Sequence, residues 1–237
     1  MPRLHWIYSM RQLLRSGKPI AHRPYQKGLL GGALAIALLL AAHQLGHHFY
    51  VEQGRAAEQA NQPDQAIAAY QIAIQLNPWD AYSAYNLGSL LEQQGHLDAA
   101  IAAYQKAVQA DDRYGFAYQS LGQVLERQGK LEAAIGAYQK AVDFDPQFAV
   151  AHIVLGDALK QQQRWDQAIA AYQNAIQADP KFALAYHHLG IVLHRQGKLA
   201  EAIDAYRQAI TLDQGYTAAH RNLQQAIQQL SRSNNGY

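Results

Sequence analysis

Apolar residues recur along most of this chain at the spacing of amphipathic helices. Within residues 131–143, one helix face carries Leu131, Ala134, Ile135, Tyr138, Ala141 and Val142. The preceding segment, residues 115–128, has its own apolar positions at helical spacing, and Gly129 interrupts the pattern between the two. We therefore predict two amphipathic helices that form a helical hairpin.

The hairpin pattern repeats every 34 residues from residue 47 to residue 216, without insertion or deletion. We predict five units with the bounds 47–80, 81–114, 115–148, 149–182 and 183–216. The clearest columns are Gly54, Gly88, Gly122, Gly156 and Gly190, and Tyr70, Tyr104, Tyr138, Tyr172 and Tyr206. Because glycine inside a helix costs about 1 kcal/mol relative to alanine, these glycines indicate a packing role. We expect Gly122 to lie opposite Ala134, with the tyrosine filling the gap to the next unit.

The units resemble the tetratricopeptide repeat (TPR), as in YNLGSLLEQQGHLDAAIAAYQKAVQADD and HHLGIVLHRQGKLAEAIDAYRQAITLD. The resemblance covers about 170 of the 237 residues. It implies an all-α TPR solenoid of five helical hairpins, whose first helices line an extended concave surface. Residues 217–230 are interpreted as a capping helix and residues 231–237 as a disordered tail. Gln53 and Pro63 depart from the pattern, which indicates a degenerate first unit.

Variable positions on the first helices predict a groove that binds a protein or peptide partner. If the array follows the geometry of the family, the groove residues are Tyr82, Tyr85, Ser89, Phe116, Gln119, Gln123, Ile153, Asp157, His187, Ile191 and Arg221. Such an aromatic and amide-rich lining suits an extended peptide or a partner helix. The alternative for any one of these residues is packing against the adjacent repeat. The carboxylate clamp of chaperone-binding relatives is not expected, because only Asn86 matches it.

A different kind of segment precedes the repeats. Residues 29–42 carry no charge, and residues 1–46 contain six Lys and Arg but no Asp or Glu. We predict a transmembrane signal anchor at residues 27–50, with the basic segment 1–26 in the cytoplasm and the array in the periplasm or a lumen. Fourteen helical residues rise only about 21 Å, so cleavage that releases a secreted soluble TPR protein is the alternative. Gly28 and Gly32 form a small-residue face that favours dimerisation or docking to another membrane helix.

Composition narrows the remaining functional classes. The chain has no cysteine, which excludes disulfides and cysteine-based metal sites. Residues 47–237 carry 14 Lys and Arg against 18 Asp and Glu, and a mildly acidic body argues against nucleic-acid binding. No nucleotide-binding or hydrolase motif occurs, and the histidines at positions 43, 47, 48, 187 and 194 lack a convincing set of further ligands. We expect no enzyme activity, cofactor or metal. The predicted function is a membrane-anchored scaffold or adaptor for protein–protein interaction, and the resemblance implies a role in assembling or stabilising a membrane complex.

Overall fold

The computed structural model describes residues 24–234, with side-chain surroundings from residue 36 to residue 233. The part that it describes contains α-helices and no strand. Residues 1–23 of the predicted basic segment and residues 235–237 of the predicted tail lie outside the described residues. The helices are α1 (Pro24–Gln59), α2 (Pro63–Leu76), α3 (Ala81–Gln93), α4 (Leu97–Ala110), α5 (Gly115–Arg127), α6 (Leu131–Phe144), α7 (Ala149–Gln161), α8 (Trp165–Ala178), α9 (Ala183–Arg195), α10 (Leu199–Leu212) and α11 (Thr217–Asn234).

The repeats form one compact unit that begins at Gly46 and includes the described residues after it. The end of α1 and α2 make its first hairpin, and α3 to α10 supply four more as successive pairs. In these four, the two helices of a hairpin pack on each other and the second helix packs on the next hairpin; α11 packs on α10. This arrangement confirms the predicted all-α repeat array.

The described residues before Gly46 belong to a separate unit and are helical from Pro24. Among the described residues, no helix combines the length and the apolar character that a membrane span requires. The predicted span 27–50 lies within α1, but the side chains of residues 27–35, including positions 28 and 32, are outside the described part. From residue 36 onward Ile36, Leu38, Leu39 and Leu40 are exposed.

The turn inside each hairpin uses left-handed backbone at one repeated position. Gly95, Gly129 and Gly197 have φ angles of 81°, 74° and 78° there. Asn61 and Gln163 adopt φ 54° and 59° at the same position. Because residues with a β-carbon rarely enter this region, glycine favours a sharp stop to the first helix.

The second helices end in a repeated aspartate turn. The Asp111 carboxylate accepts a hydrogen bond from the Arg113 N–H at 3.0 Å, and the same bond recurs at Asp145, Asp179 and Asp213. Such aspartates fix the turn that leads into the next first helix.

The tyrosine column occupies the space that the glycine column leaves. A β-carbon added at Gly122 would meet the ring of Tyr138 before any atom of Ala134. The tyrosine therefore fills space within its own hairpin. We had expected Ala134 to lie opposite the glycine and the tyrosine to fill the gap to the next unit. All five repeat tyrosines are at most 1% exposed.

The capping helix continues to Asn234, so it includes four residues of the predicted tail. Ala219 and Ala226 are fully buried, and Leu230 packs against the last hairpin. The Ser231 and Ser233 hydroxyls donate to main-chain oxygens of the previous turn. These contacts explain why the helix does not end at residue 230.

Candidate functional site

All eleven predicted groove residues lie on α3, α5, α7, α9 and α11. We call the surface of these helices and of the end of α1 the first-helix face. Aromatic and apolar side chains at the second position of three first helices are exposed on this face. Phe116 is 57% exposed, Val150 41% and Tyr82 37%. The Phe116 ring packs on Phe148 at 4.7 Å. These positions form an apolar edge along the face.

A cation and a phenol meet at the start of this edge. The guanidinium of Arg55 lies 4.5 Å from the centre of the Tyr82 ring. Its Nε donates to the Tyr82 hydroxyl at 3.0 Å. Glu52 lies 2.9 Å from the same guanidinium, so Arg55 links Tyr82 to the end of α1.

Two predicted groove residues are buried inside the array. Ile153 is 4% exposed and belongs to the central apolar core. His187 is 7% exposed, and its ring nitrogens lie 3.0 Å from the Tyr216 hydroxyl and 3.0 Å from Nδ2 of Asn222. Burial raises the cost of charging this ring, and the nearby His188 and Lys160 add to it, which lowers the pKa of His187 to about 4. Both side chains therefore fit the alternative, which is packing against the adjacent repeat.

The other nine predicted residues reach the surface to different extents. Arg221 is exposed, while the side chains at positions 85, 89, 119, 123, 157 and 191 are partly buried. Tyr85 is held between the rings of Tyr104 and Tyr114, at 5.7 and 5.1 Å. The role of these residues in binding stays a prediction.

Acidic residues on the first-helix face accept hydrogen bonds from the repeat tyrosines. The Tyr104 hydroxyl donates to Glu92 at 2.9 Å, and the Tyr138 hydroxyl donates to Glu126 at 2.9 Å. Tyr70 makes the same bond to Glu58. Burial, together with the carboxylate beside each hydroxyl, raises the pKa of all three phenols. The sequence shows the glutamates at a 34-residue interval, but it does not show that they meet the tyrosines.

These glutamates also join neighbouring hairpins. Arg127 of the third unit donates to Glu92 of the second at 2.8 Å. Gln161 of the fourth unit donates to Glu126 of the third. Each carboxylate thus contacts the tyrosine of its own hairpin. It also contacts a side chain of the next hairpin, 35 residues further along the chain.

The fourth unit replaces this glutamate with Lys160 and uses Asp157 instead. Asp157 accepts hydrogen bonds from Tyr172 at 2.8 Å, from His188 at 2.9 Å and from Lys160 at 2.5 Å. Burial acts to raise the pKa of Asp157, but His188 and Lys160 outweigh it and lower that pKa to about 2. The predicted residues Gln123 and Asp157 line one cavity of about 370 Å³ on this face.

Two of the histidines considered as metal ligands each contact one polar side chain. His47 lies 2.8 Å from Asp80, and His194 lies 2.8 Å from the amide oxygen of Gln229. In the described part of the chain no group of three His, Cys, Asp or Glu side chains is placed to hold a metal ion.

Models of the tetratricopeptide repeat match residues 51–114 and 183–216, and a further TPR repeat model matches residues 122–162 and 156–197. No curated protein matches the chain.

Several solved structures share the fold. MamA is 27% identical, with a TM-score of 0.64, and the match covers 68% of this chain and 94% of MamA. YrrB, described as a TPR protein with an unusual peptide-binding site, is 22% identical, with a TM-score of 0.63; the match covers 73% of this chain and 89% of YrrB. A tetratricopeptide repeat protein from Parabacteroides merdae is 16% identical, with a TM-score of 0.68 and coverage of 79% and 75%.

Proposed function

This chain is a tetratricopeptide repeat protein, and we propose that it is a scaffold that holds a protein partner on its first-helix face. The observation that carries the proposal is the apolar edge formed by Tyr82, Phe116 and Val150. Exposed apolar side chains that line up on one face are typical of protein-interaction surfaces. Polar cavities on the first-helix face offer hydrogen-bond partners for the main chain of a bound segment.

The relatives support a binding role. YrrB is described as having a peptide-binding site, and its repeats share this fold. The present chain also offers partly buried amides at Gln119 and Gln123 between its aromatic and basic ends. An extended peptide or an amphipathic helix is the class of partner that fits this combination.

Site-specific photo-crosslinking tests the location of the partner. A benzophenone amino acid at position 116 is compared with one at position 212, where Leu212 is 39% exposed on a second helix. We expect a crosslinked partner from position 116 only. The partner is then identified, purified and tested for binding to Phe116→Ala and Leu212→Ala.

Phe116→Ala should weaken binding at least tenfold with unchanged helicity, and Leu212→Ala should bind normally. Equal crosslinking from both positions, or equal affinity of both variants, would place the binding surface elsewhere.

We further propose that residues 27–50 anchor the array in a membrane and that the scaffold assembles or stabilises a membrane complex. The uncharged run 29–42 and the six preceding basic residues support an anchor with a cytoplasmic N-terminus. Exposed leucines at positions 38–40 are consistent with a lipid environment. The alternative remains a secreted protein released by cleavage.

Membrane extraction and N-terminal sequencing separate these alternatives. An anchored chain resists alkaline carbonate, dissolves in detergent and keeps residue 1 or 2 at its N-terminus. Protease added on the periplasmic or lumenal side of the membrane should digest the repeats. Protease added on the cytoplasmic side of an intact membrane should not. A mature chain that begins near residue 43 would eliminate the anchor.

For the proposed dimer, Gly32→Leu should reduce self-association in the bilayer, whereas Ala33→Leu should not.

A further inference from the structure

The fifth repeat tyrosine lacks the carboxylate that its four equivalents contact. Tyr70, Tyr104, Tyr138 and Tyr172 each donate their hydroxyl hydrogen to an acidic side chain. The Tyr206 side chain is 1% exposed, yet its hydroxyl makes no hydrogen bond to any residue that the structure describes. The hydroxyl is not shut off from solvent, because Tyr206 lines an open cavity, so it is free to donate to a group that enters this cavity.

The sequence of the fifth unit explains this difference. His194 occupies the position that is glutamate in the first three units, and Ile191 occupies the position of Asp157 in the fourth. The His194 ring lies edge-on to Tyr206, at 6.4 Å between ring centres. Its Nε2 is directed at Gln229, so His194 does not replace the missing carboxylate.

Tyr206 lines an open cavity of about 590 Å³ on the first-helix face, which we call the Tyr206 pocket. Its other polar lining residues are Lys160, His194, Arg195, Asn222, Gln225 and Gln229. Ile191 and Trp165 add apolar surface. The lining that the structure describes contains no Asp or Glu.

The charge of the pocket comes mainly from Arg195. Lys160 is already paired with Asp157 at 2.5 Å. Arg195 is exposed and forms no ion pair within the described residues. Burial raises the pKa of Tyr206 to about 12, so its hydroxyl is a proton donor at neutral pH. The pocket therefore combines a cation, a phenol donor and amide groups.

We propose that the Tyr206 pocket binds a carboxylate of the partner, which accepts hydrogen bonds from the Tyr206 hydroxyl and the Arg195 guanidinium. In the four other units, a carboxylate of the chain accepts the hydrogen bond of the tyrosine at this position. In the fifth unit, the partner supplies that carboxylate. Arginine suits this task because its planar donors match a carboxylate. The inference rests on the proposed function and specifies the chemistry of one end of the bound segment.

The first test compares two tyrosine variants without any ligand. Tyr104→Phe removes a hydrogen bond to Glu92 and should lower the midpoint of urea unfolding. Tyr206→Phe removes a hydroxyl with no internal acceptor and should leave the midpoint unchanged. An equal decrease in both variants would show that the Tyr206 hydroxyl has an internal partner, which would overturn the proposal.

The second test measures binding of three fluorescein-labelled pentapeptides to the full chain in detergent micelles. One has a central glutamate between two leucines and an amidated C-terminus. Its neutral analogue has glutamine instead, and the third has that glutamine with a free C-terminal carboxylate. We expect at least one acidic peptide to bind ten times more tightly than the neutral analogue. The acidic peptide that binds identifies a side chain or a chain end as the source of the carboxylate.

Variants connect this affinity to the pocket. Tyr206→Phe and Arg195→Gln should each weaken binding of the acidic peptide at least fivefold. The matched control is Arg207→Gln, since Arg207 is exposed on the second helix and lies near Asp204. His194→Glu restores the acceptor found in the first three units and should abolish peptide binding.

Equal binding of acidic and neutral peptides, no binding of either, or an equal loss in Arg195→Gln and Arg207→Gln would overturn the carboxylate site. The crosslink from position 116 would then still stand, and the scaffold proposal with it. Loss of that crosslink with retained acidic-peptide binding would instead contradict the proposed apolar edge.

Discussion

Gly88 and Tyr104 lie so close together that a β-carbon on the glycine would be 2.7 Å from the tyrosine ring. The ring is 1% exposed and its hydroxyl is held by Glu92, so it has little room to move. The equivalent glycine and tyrosine make the same close contact in the other four units. This contact explains why glycine recurs inside a helix, where its backbone conformation does not require it.

Gly88→Ala should therefore destabilise the array although alanine is the better helix former. We expect the free energy of unfolding to fall by about 1–3 kcal/mol, because an added methyl group must displace a buried ring. The matched control is Gly136→Ala in α6, where an added β-carbon meets no atom within 4 Å. That variant should gain up to about 1 kcal/mol from helix propensity. Urea unfolding measures both, and a gain in both would contradict the close packing.

Protonation of His187 should destabilise the protein in mild acid. The pKa of His187 is about 4 in the folded chain and about 6.5 when unfolded, so the unfolded state binds more protons between these values. The free energy of unfolding should therefore fall as the pH decreases from about 6.5 to about 4. The loss from this residue is at most about 3 kcal/mol.

Unfolding midpoints at pH 7, 5.5 and 4.5 test this dependence. His187→Gln should flatten the decrease, whereas His220→Gln, at an exposed position on α11, should not. Part of the slope should persist in His187→Gln, because burial also lowers the pKa of His152. Asp157 contributes at lower pH: its pKa is about 2, so its stabilisation is lost between about pH 4 and pH 2. An unchanged slope in His187→Gln would contradict the assignment.

The sequence predicted the helical hairpins well because their packing is repeated. Five tyrosines and five glycines at one spacing report the same local contact five times, so the periodicity identifies it. Local repetition did not identify which atoms meet: the neighbour of Gly122 is the Tyr138 ring, although Ala134 has the same periodicity.

The site was less predictable because its residues vary from unit to unit. Ile153 and Gln119 share one column, but only Ile153 is fully buried. The side chain of a given column lies in the core or at the surface according to its size, its polarity and its neighbours in the next unit. The unpaired hydroxyl of Tyr206 depends on His194 and Ile191 together, and it becomes visible only when the four other units show what is missing.

The Glu92–Arg127 pair should couple the second and third hairpins weakly. Its ends are 2.8 Å apart, and the Glu92 side chain is 22% exposed. A double-mutant cycle with Glu92→Gln and Arg127→Gln should give a coupling of about 0.2–1 kcal/mol that falls with added salt. The comparison pair is Asp204 and Arg207, which lie 3.5 Å apart within one helix and are both well exposed. A larger coupling in that exposed pair would argue against a role of Glu92 between hairpins.

A charge at Ala226 should unfold the end of the array locally. Ala226 is fully buried and packs with Tyr206 and Leu193 in the last apolar cluster. Ala226→Glu would place a carboxylate there without a partner, which is costly, so α11 should detach. Because repeats contact mainly their neighbours, the effect should decline along the array.

Hydrogen exchange should show lost amide protection in α9–α11 and retained protection in α3–α6. Gln228→Glu, at an exposed position of the same helix, should keep both regions protected. Uniform loss of protection in Ala226→Glu would mean that the five hairpins unfold as a single cooperative unit.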